Sequence, residues 1–111
     1  MSMARDELVD RVRDVLPRGV HAQEKKMFGG VAFMVHGNML VAPLKDGSML
    51  VRVGKDGMDE ALAQSGASIM EMGGRTMGGA VVVSGDTIED DEALAEWVER
   101  AWTFVKTLPP K

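Results

Sequence analysis

Glycine divides the middle of this chain into apolar runs too short to be helices. Glu24 to Phe28 is followed by Gly29-Gly30, Val31 to His36 by Gly37-Asn38, Met39 to Leu44 by Lys45-Asp46-Gly47, and Ser48 to Val53 completes the series. Runs of about four to eight residues rich in Val, Met and Phe, bounded by such signals, read as strands. Gly-Gly and Gly-Asn suit tight hairpins, because glycine takes up positive φ without a Cβ clash. The spacing predicts up to four antiparallel strands over residues 24–53. Pro43 has no N–H for a ladder, which predicts that its end of the strand lies at a sheet edge.

The flanks follow the helical period. Leu8, Val12, Val15 and Leu16 form one stripe of a helix from about Met3 to Leu16, stopped by Pro17. A short helix is expected over 56–65, with Met58, Ala61 and Leu62 inward and Gly66 as its end. Ile69 to Met72 and Ala80 to Ser84 read as two further strands, set apart by Gly73-Gly74 and Gly78-Gly79. Leu94, Trp97, Val98, Ala101, Phe104, Val105 and Leu108 mark the last helix, capped by Thr87, Asp90 or Asp91 and ended by Pro109-Pro110. The sum is one α+β domain over 1–111, a two-layer antiparallel sheet with helices in the order α, three or four strands, α, two strands, α. Trp97, in the middle of its stripe, is expected in the core.

Alternation along the strands is incomplete. Val31, Phe33 and Val35 share one face, yet Ala32 and Met34 lie on the other, and Leu50 lies opposite Met49, Val51 and Val53. A sheet with one wet face alternates apolar and polar residues more cleanly. A second copy of the chain meeting this face as a C2 dimer is the simplest cover, with Met34 as an adaptable contact. The alternative is that the termini, or the segment from Ser65 to Met77, fold over it.

Composition narrows the function. No run approaches the ~20 apolar residues of a membrane span, and the charged first residues lack a signal peptide's apolar stretch. With cysteine absent, disulfide and thiol chemistry drop out. A cytoplasmic location, with no membrane partner, is the expectation. Net charge is −4, which disfavours direct specific DNA binding. Its distribution is uneven: residues 1–55 hold nine Lys/Arg against six Asp/Glu (+3), and residues 56–111 hold four against eleven (−7).

No catalytic machinery is legible. His21 and His36 have no further ligand at metal-site spacing, so neither metal nor cofactor is expected. No serine sits in a Gly-x-Ser-x-Gly context, and Ser84-Gly85-Asp86 reads as a turn. Gly29-Gly30 and Gly78-Gly79 lack the P-loop pattern and read as hairpin geometry, with anion binding as the alternative. The ten methionines, among them Met27, Met34, Met39, Met49 and Met70 on strands, read as packing residues before an adaptable partner groove or a copper site. Arg52 stands inside an apolar strand. It either pairs with a carboxylate such as Glu71 or joins Lys25, Lys26 and Arg75 in a basic patch for an acidic peptide or phosphate.

The stretch Lys25-Lys26-Met27-Phe28-Gly29-Gly30-Val31-Ala32-Phe33, continued by Gly37-Asn38-Met39, resembles the signature of the TfoX/Sxy N-terminal domain. Leu50-Val51-Arg52-Val53, Gly74-Arg75-Thr76-Met77 and the Trp97-Val98 pair extend the resemblance over nearly the whole chain. Membership implies a two-layer α/β fold with an antiparallel sheet, and a link to bacterial competence regulators that act on transcription with partners. Such regulators carry a second, C-terminal domain, and this chain corresponds to the first. Met27, Phe28, Gly29, Gly30, Gly37, Asn38 and Trp97 are then structural motif residues. The expected function is a non-catalytic regulatory or protein-interaction module, working with an unidentified protein partner or as a homodimer. The rival is a small-ligand or nucleotide-binding protein, an enzyme included, using the basic residues around Arg52.

Overall fold

The chain builds one sheet and packs its helices on one side of it. The computed structural model describes residues 2–27, 29–72 and 75–110, and for 2–5, 72 and 75–77 it describes the backbone. Helix α1 (Ser2–Val15) leads into β1 (Gln23–Met27), β2 (Gly30–Val35), β3 (Asn38–Pro43) and β4 (Met49–Arg52). Helix α2 (Met58–Leu62), β5 (Ala67–Met72), β6 (Arg75–Val83), α3 (Gly85–Ile88) and α4 (Asp91–Val105) complete it. The order across the sheet is β1-β2-β3-β4-β6-β5, every neighbouring pair antiparallel. The α+β arrangement expected from periodicity is the one observed.

One core joins the two layers. Leu8, Val9 and Val12 of α1, Ala61 of α2, Ile88 of α3 and Leu94, Trp97, Val98, Ala101 and Val105 of α4 meet Phe33, Val35, Val41, Met49, Val51, Val81 and Val83 from the strands. The α4 stripe falls on the helix face that the spacing predicts, and Asp90 caps it by accepting from the Ala93 N–H at 3.1 Å. Arg11 ties α1 to the start of α4, donating to Asp91 at 2.9 Å and to the Glu89 carbonyl at 3.0 Å.

Four local expectations are corrected. The β2–β3 turn consists of His36 and Gly37, not Gly37 and Asn38: both have positive φ (53° and 82°), as a type I′ hairpin requires, and Asn38 pairs with Val35 inside the ladder. Pro43 ends an interior strand and not an edge; it pairs with Met49 of β4, beyond Val41, the last partner of β2. Gly78 and Gly79 lie within β6 and do not separate two strands. The Gly79 carbonyl accepts from Val53 and Gly54 at 2.8 and 2.9 Å, which holds the end of β4 against β6. Ser84-Gly85-Asp86 is not a free turn, because Ser84 caps the added helix α3 by accepting from the Thr87 N–H.

Trp97 is 5% exposed, and the Arg100 guanidinium lies 5.1 Å from its ring centroid. Truncating a buried tryptophan removes its contacts and leaves a cavity, at about 3–5 kcal/mol. Trp97→Ala is expected to lower the urea midpoint by the equivalent amount. A midpoint close to that of the unmodified protein would contradict the core assignment.

Candidate functional site

Strand geometry sends alternate side chains to opposite faces, and here the two faces fare differently. Phe33, Val35, Met49, Val51, Val81 and Val83 enter the helix-covered core. Ala32, Ala42, Leu50 and Ala80 form a second buried cluster, packed with the half-buried Met27, Met34, Met39, Met70 and Val82. Their rows follow the register: Ala42 opposes Leu50, Leu50 opposes Val82, and Lys25 opposes Ala32 on β1. Every member of this second cluster is a strand residue, whereas all four helices contribute to the first. On the second face the small side chains and Leu50 are thus buried within the chain, and the long, flexible methionines around them are half-buried. The register also sets Lys25, Arg52 and Ser68 on this face, opposite Ala32, Ala80 and Val82.

The four basic residues do not assemble into one patch. Lys25 and Lys26 lie on edge strand β1, opposite Ala32 and Val31, while Arg52 lies on β4 opposite Ala80. Two strands separate β1 from β4, which puts the two groups about 14 Å apart across the sheet. Arg75 pairs with Met72 at the far end of β6, and its side chain lies outside the described residues. Arg52 lies 5.6 Å from the centroid of the Phe104 ring of α4. It is not paired with Glu71, which opposes Thr76 at the hairpin end of β6. The reason is register, which four residues far apart in sequence cannot disclose.

The motif residues divide between turn and core. Phe28 lies outside the described residues. Met27 packs on the second cluster. Gly29 has φ +73° and open space around it, whereas a Cβ on Gly30 would sit 2.0 Å from the Pro43 carbonyl oxygen. Gly30 thus lets the start of β2 pass close to the end of β3. Asn38 is 3% exposed, and its Nδ2 donates to the Pro109 carbonyl at 3.1 Å, fastening the residues after α4 to the β2–β3 hairpin. Sequence reading cannot supply that bond, because it joins positions 71 residues apart.

Three other surfaces bear on chemistry. A hollow of about 570 Å³ between α2 and α4 has an apolar floor of Val53 and Phe104 and a rim of Glu60, Glu96, Glu99 and Arg100, with Glu60 and Arg100 paired at 3.2 Å. His36 lies beside Asn38, Trp102 and Leu108 at a small hollow of about 80 Å³. A third hollow, at the β1–β2 turn, is lined by Lys26, Met27, Gly29, Gly30 and Lys45; Lys45 is a participant that the sequence reading passed over as a turn residue. Among the described residues no group of three or more His, Cys, Asp or Glu could hold a metal ion. None of the helices there is long and apolar enough to cross a membrane.

Two carboxylates near the third hollow are held by hydrogen bonds. Glu24 accepts from Arg13 Nε and Nη2 at 2.7 and 2.6 Å, and that bond holds its carboxyl below the usual range. Asp46 accepts from the Ser48 hydroxyl at 2.5 Å and the Ser48 N–H at 3.0 Å, and its carboxyl is lowered for the same reason.

The family model described as the TfoX N-terminal domain matches residues 14–105, most of the chain. No curated protein and no solved structure matches it.

The two motif glycines are expected to respond differently to alanine. Gly29→Ala places a Cβ at positive φ in open space, at a cost of roughly 1–2 kcal/mol. Gly30→Ala drives a Cβ into a backbone oxygen that cannot rotate away, at about 3 kcal/mol or more. Paired urea denaturations check this. Equal losses would mean that the approach of Gly30 to Pro43 is not required.

Proposed function

The chain belongs to the TfoX N-terminal domain family, and from that premise we propose that it is a non-catalytic interaction module that docks through its methionine-rimmed sheet face with a second copy of itself. The carrying observation is the division of the sheet. All four helices build one core, and the second apolar cluster is made from strand residues alone. Contiguous apolar surface on a soluble chain marks a contact site.

The alanines and Leu50 are already buried within the chain, so the surface this face offers a second copy is its half-buried part, Met27, Met34, Met39, Met70 and Val82, which a two-fold axis can set against the same residues of the other copy. The charges that the register sets on this face, Lys25 opposite Ala32 and Arg52 opposite Ala80, lie on the edge strand β1 and at the end of β4, away from Ala42 and Leu50.

A regulatory role then runs through protein contacts and not through base reading. The basic residues are dispersed, and among the described residues the helices offer no basic stripe for a major groove. Against the rival reading, a ligand site around Arg52, stands the strand order, in which β2 and β3 lie between Lys25 and Lys26 on β1 and Arg52 on β4.

Two measurements check these readings. In sedimentation equilibrium at tens of micromolar, the unmodified chain is expected to be a dimer and Met34→Lys a folded monomer, since a charge in that contact opposes an association of ~8 kcal/mol. A monomeric unmodified chain at that concentration contradicts the self-docking face. In a mobility-shift assay at physiological salt, duplex DNA is expected to bind weakly and without sequence preference. Specific sub-micromolar binding would overturn the protein-contact reading.

A further inference from the structure

The hollow between α2 and α4 holds about 570 Å³, within the range of pockets that receive a ligand or a few partner side chains. Its apolar floor is Phe104 with Val53. Gly54 has φ +78°, and a Cβ there would meet the Phe104 ring at 2.5 Å, so the ring lies where only glycine leaves room. The Arg52 guanidinium lies 5.6 Å from its centroid. Phe104 is thus held in place while half-buried, and an anchor point already ordered costs little to bind against.

The rim is acidic. Glu60, Glu96 and Glu99 line it against one cation, Arg100. Arg100 is already engaged: it donates to Glu60 at 3.2 Å and lies 5.1 Å from the centroid of the Trp97 ring. Among the described residues the Glu96 and Glu99 carboxylates have no ion-pair or hydrogen-bond partner. Helix polarity does not account for them either. Asp91 and Glu92 occupy the first turn of α4, where the dipole favours acid, and Glu96 and Glu99 lie beyond it. The surrounding half of the chain has the same sign, residues 56–111 holding four Lys/Arg against eleven Asp/Glu. An apolar floor under unpaired negative charge is complementary to a segment that carries apolar and basic side chains together.

We propose that the groove between α2 and α4 docks a short basic segment of a partner protein, with an apolar side chain on Phe104 and Val53 and Lys or Arg on Glu96 and Glu99. The groove goes beyond the self-docking reading and does not compete with it. Its residues lie on the helix-covered side of the sheet, and none belongs to the second cluster. A chain that meets its own copy through the strand face keeps the groove free for a different protein. Since both carboxylates are exposed, charge steers the encounter and the apolar contact holds it.

An amide-resolved NMR titration of the full chain with the peptide acetyl-Lys-Lys-Leu-Lys-Lys-Leu-Lys-Lys-amide at physiological salt tests this. Saturable shifts centred on Glu96, Glu99, Thr103 and Phe104 are expected, with a dissociation constant of about a tenth of a millimolar. Serine in place of both leucines makes binding too weak to saturate. Glu96→Gln and Glu99→Gln each weaken it roughly twofold to fivefold, the range of an exposed ion pair. Thr103→Arg, which sets a cation in the groove, abolishes it. Asp14→Asn, which removes the same charge from α1, leaves it unchanged. All four replaced residues are exposed, so the fold survives and the spectra report on binding. Shifts that never saturate, that are the same with the serine peptide, or that weaken equally in Asp14→Asn would overturn the groove and leave general charge attraction in its place. Shifts at the same amides when the chain is concentrated without peptide would give the groove to a second copy and overturn the proposal as well.

Discussion

A sheet has two faces, and a strand cannot bury one row of side chains without presenting the next row on the other side. That constraint governs this protein. Val31, Phe33 and Val35 can serve the helix-covered core only if Ala32 and Met34 turn away from it, and the same holds for Leu50 between Met49 and Val51. The turned-away residues are apolar as well: Ala32 and Leu50 are buried without help from α1, α2, α3 or α4, and Met34 beside them is half-buried. Helical cover on the first face and an apolar second face are two consequences of one strand pattern.

What was legible in the sequence was what local periodicity carries. The α4 stripe from Leu94 to Val105 and its Asp90 cap repeat on spacings that one element decides alone, and they lie where the spacing puts them. The split faces of β2 and β4 were legible for the same reason. Turn boundaries were less so. Gly37-Asn38 reads as a turn pair, but Asn38 gains more as a ladder partner of Val35 with its amide on the Pro109 carbonyl, so the positive φ passes to His36. Gly78 and Gly79 look like an interruption, yet the Gly79 carbonyl has two donors waiting at the end of β4. In both cases a partner distant in sequence decided a local conformation.

Non-local register explains why the basic residues could be named but not assembled. Lys25, Lys26, Arg52 and Arg75 are plausible neighbours in a list of strands whose order is unknown. Once β6 inserts between β4 and β5, Arg52 faces Ala80 and lies over Phe104, while Lys26 finds Lys45 across the β1–β2 turn. Gly30 belongs to the same lesson. Its need for a missing side chain comes from Pro43, thirteen positions away and on another strand, and is invisible in the turn itself.

The central claim is that the methionine-rimmed face meets its own kind. Contacts between copies report on it most directly, in a sample mixing chains labelled at methionine methyls with chains labelled at valine methyls. The account predicts inter-chain NOEs from Met34, Met39 and Met70 to Val82, the half-buried members of the face. A dimer whose inter-chain NOEs arise instead from α4 residues, or a sample with no inter-chain NOEs at tens of micromolar and above, would contradict it.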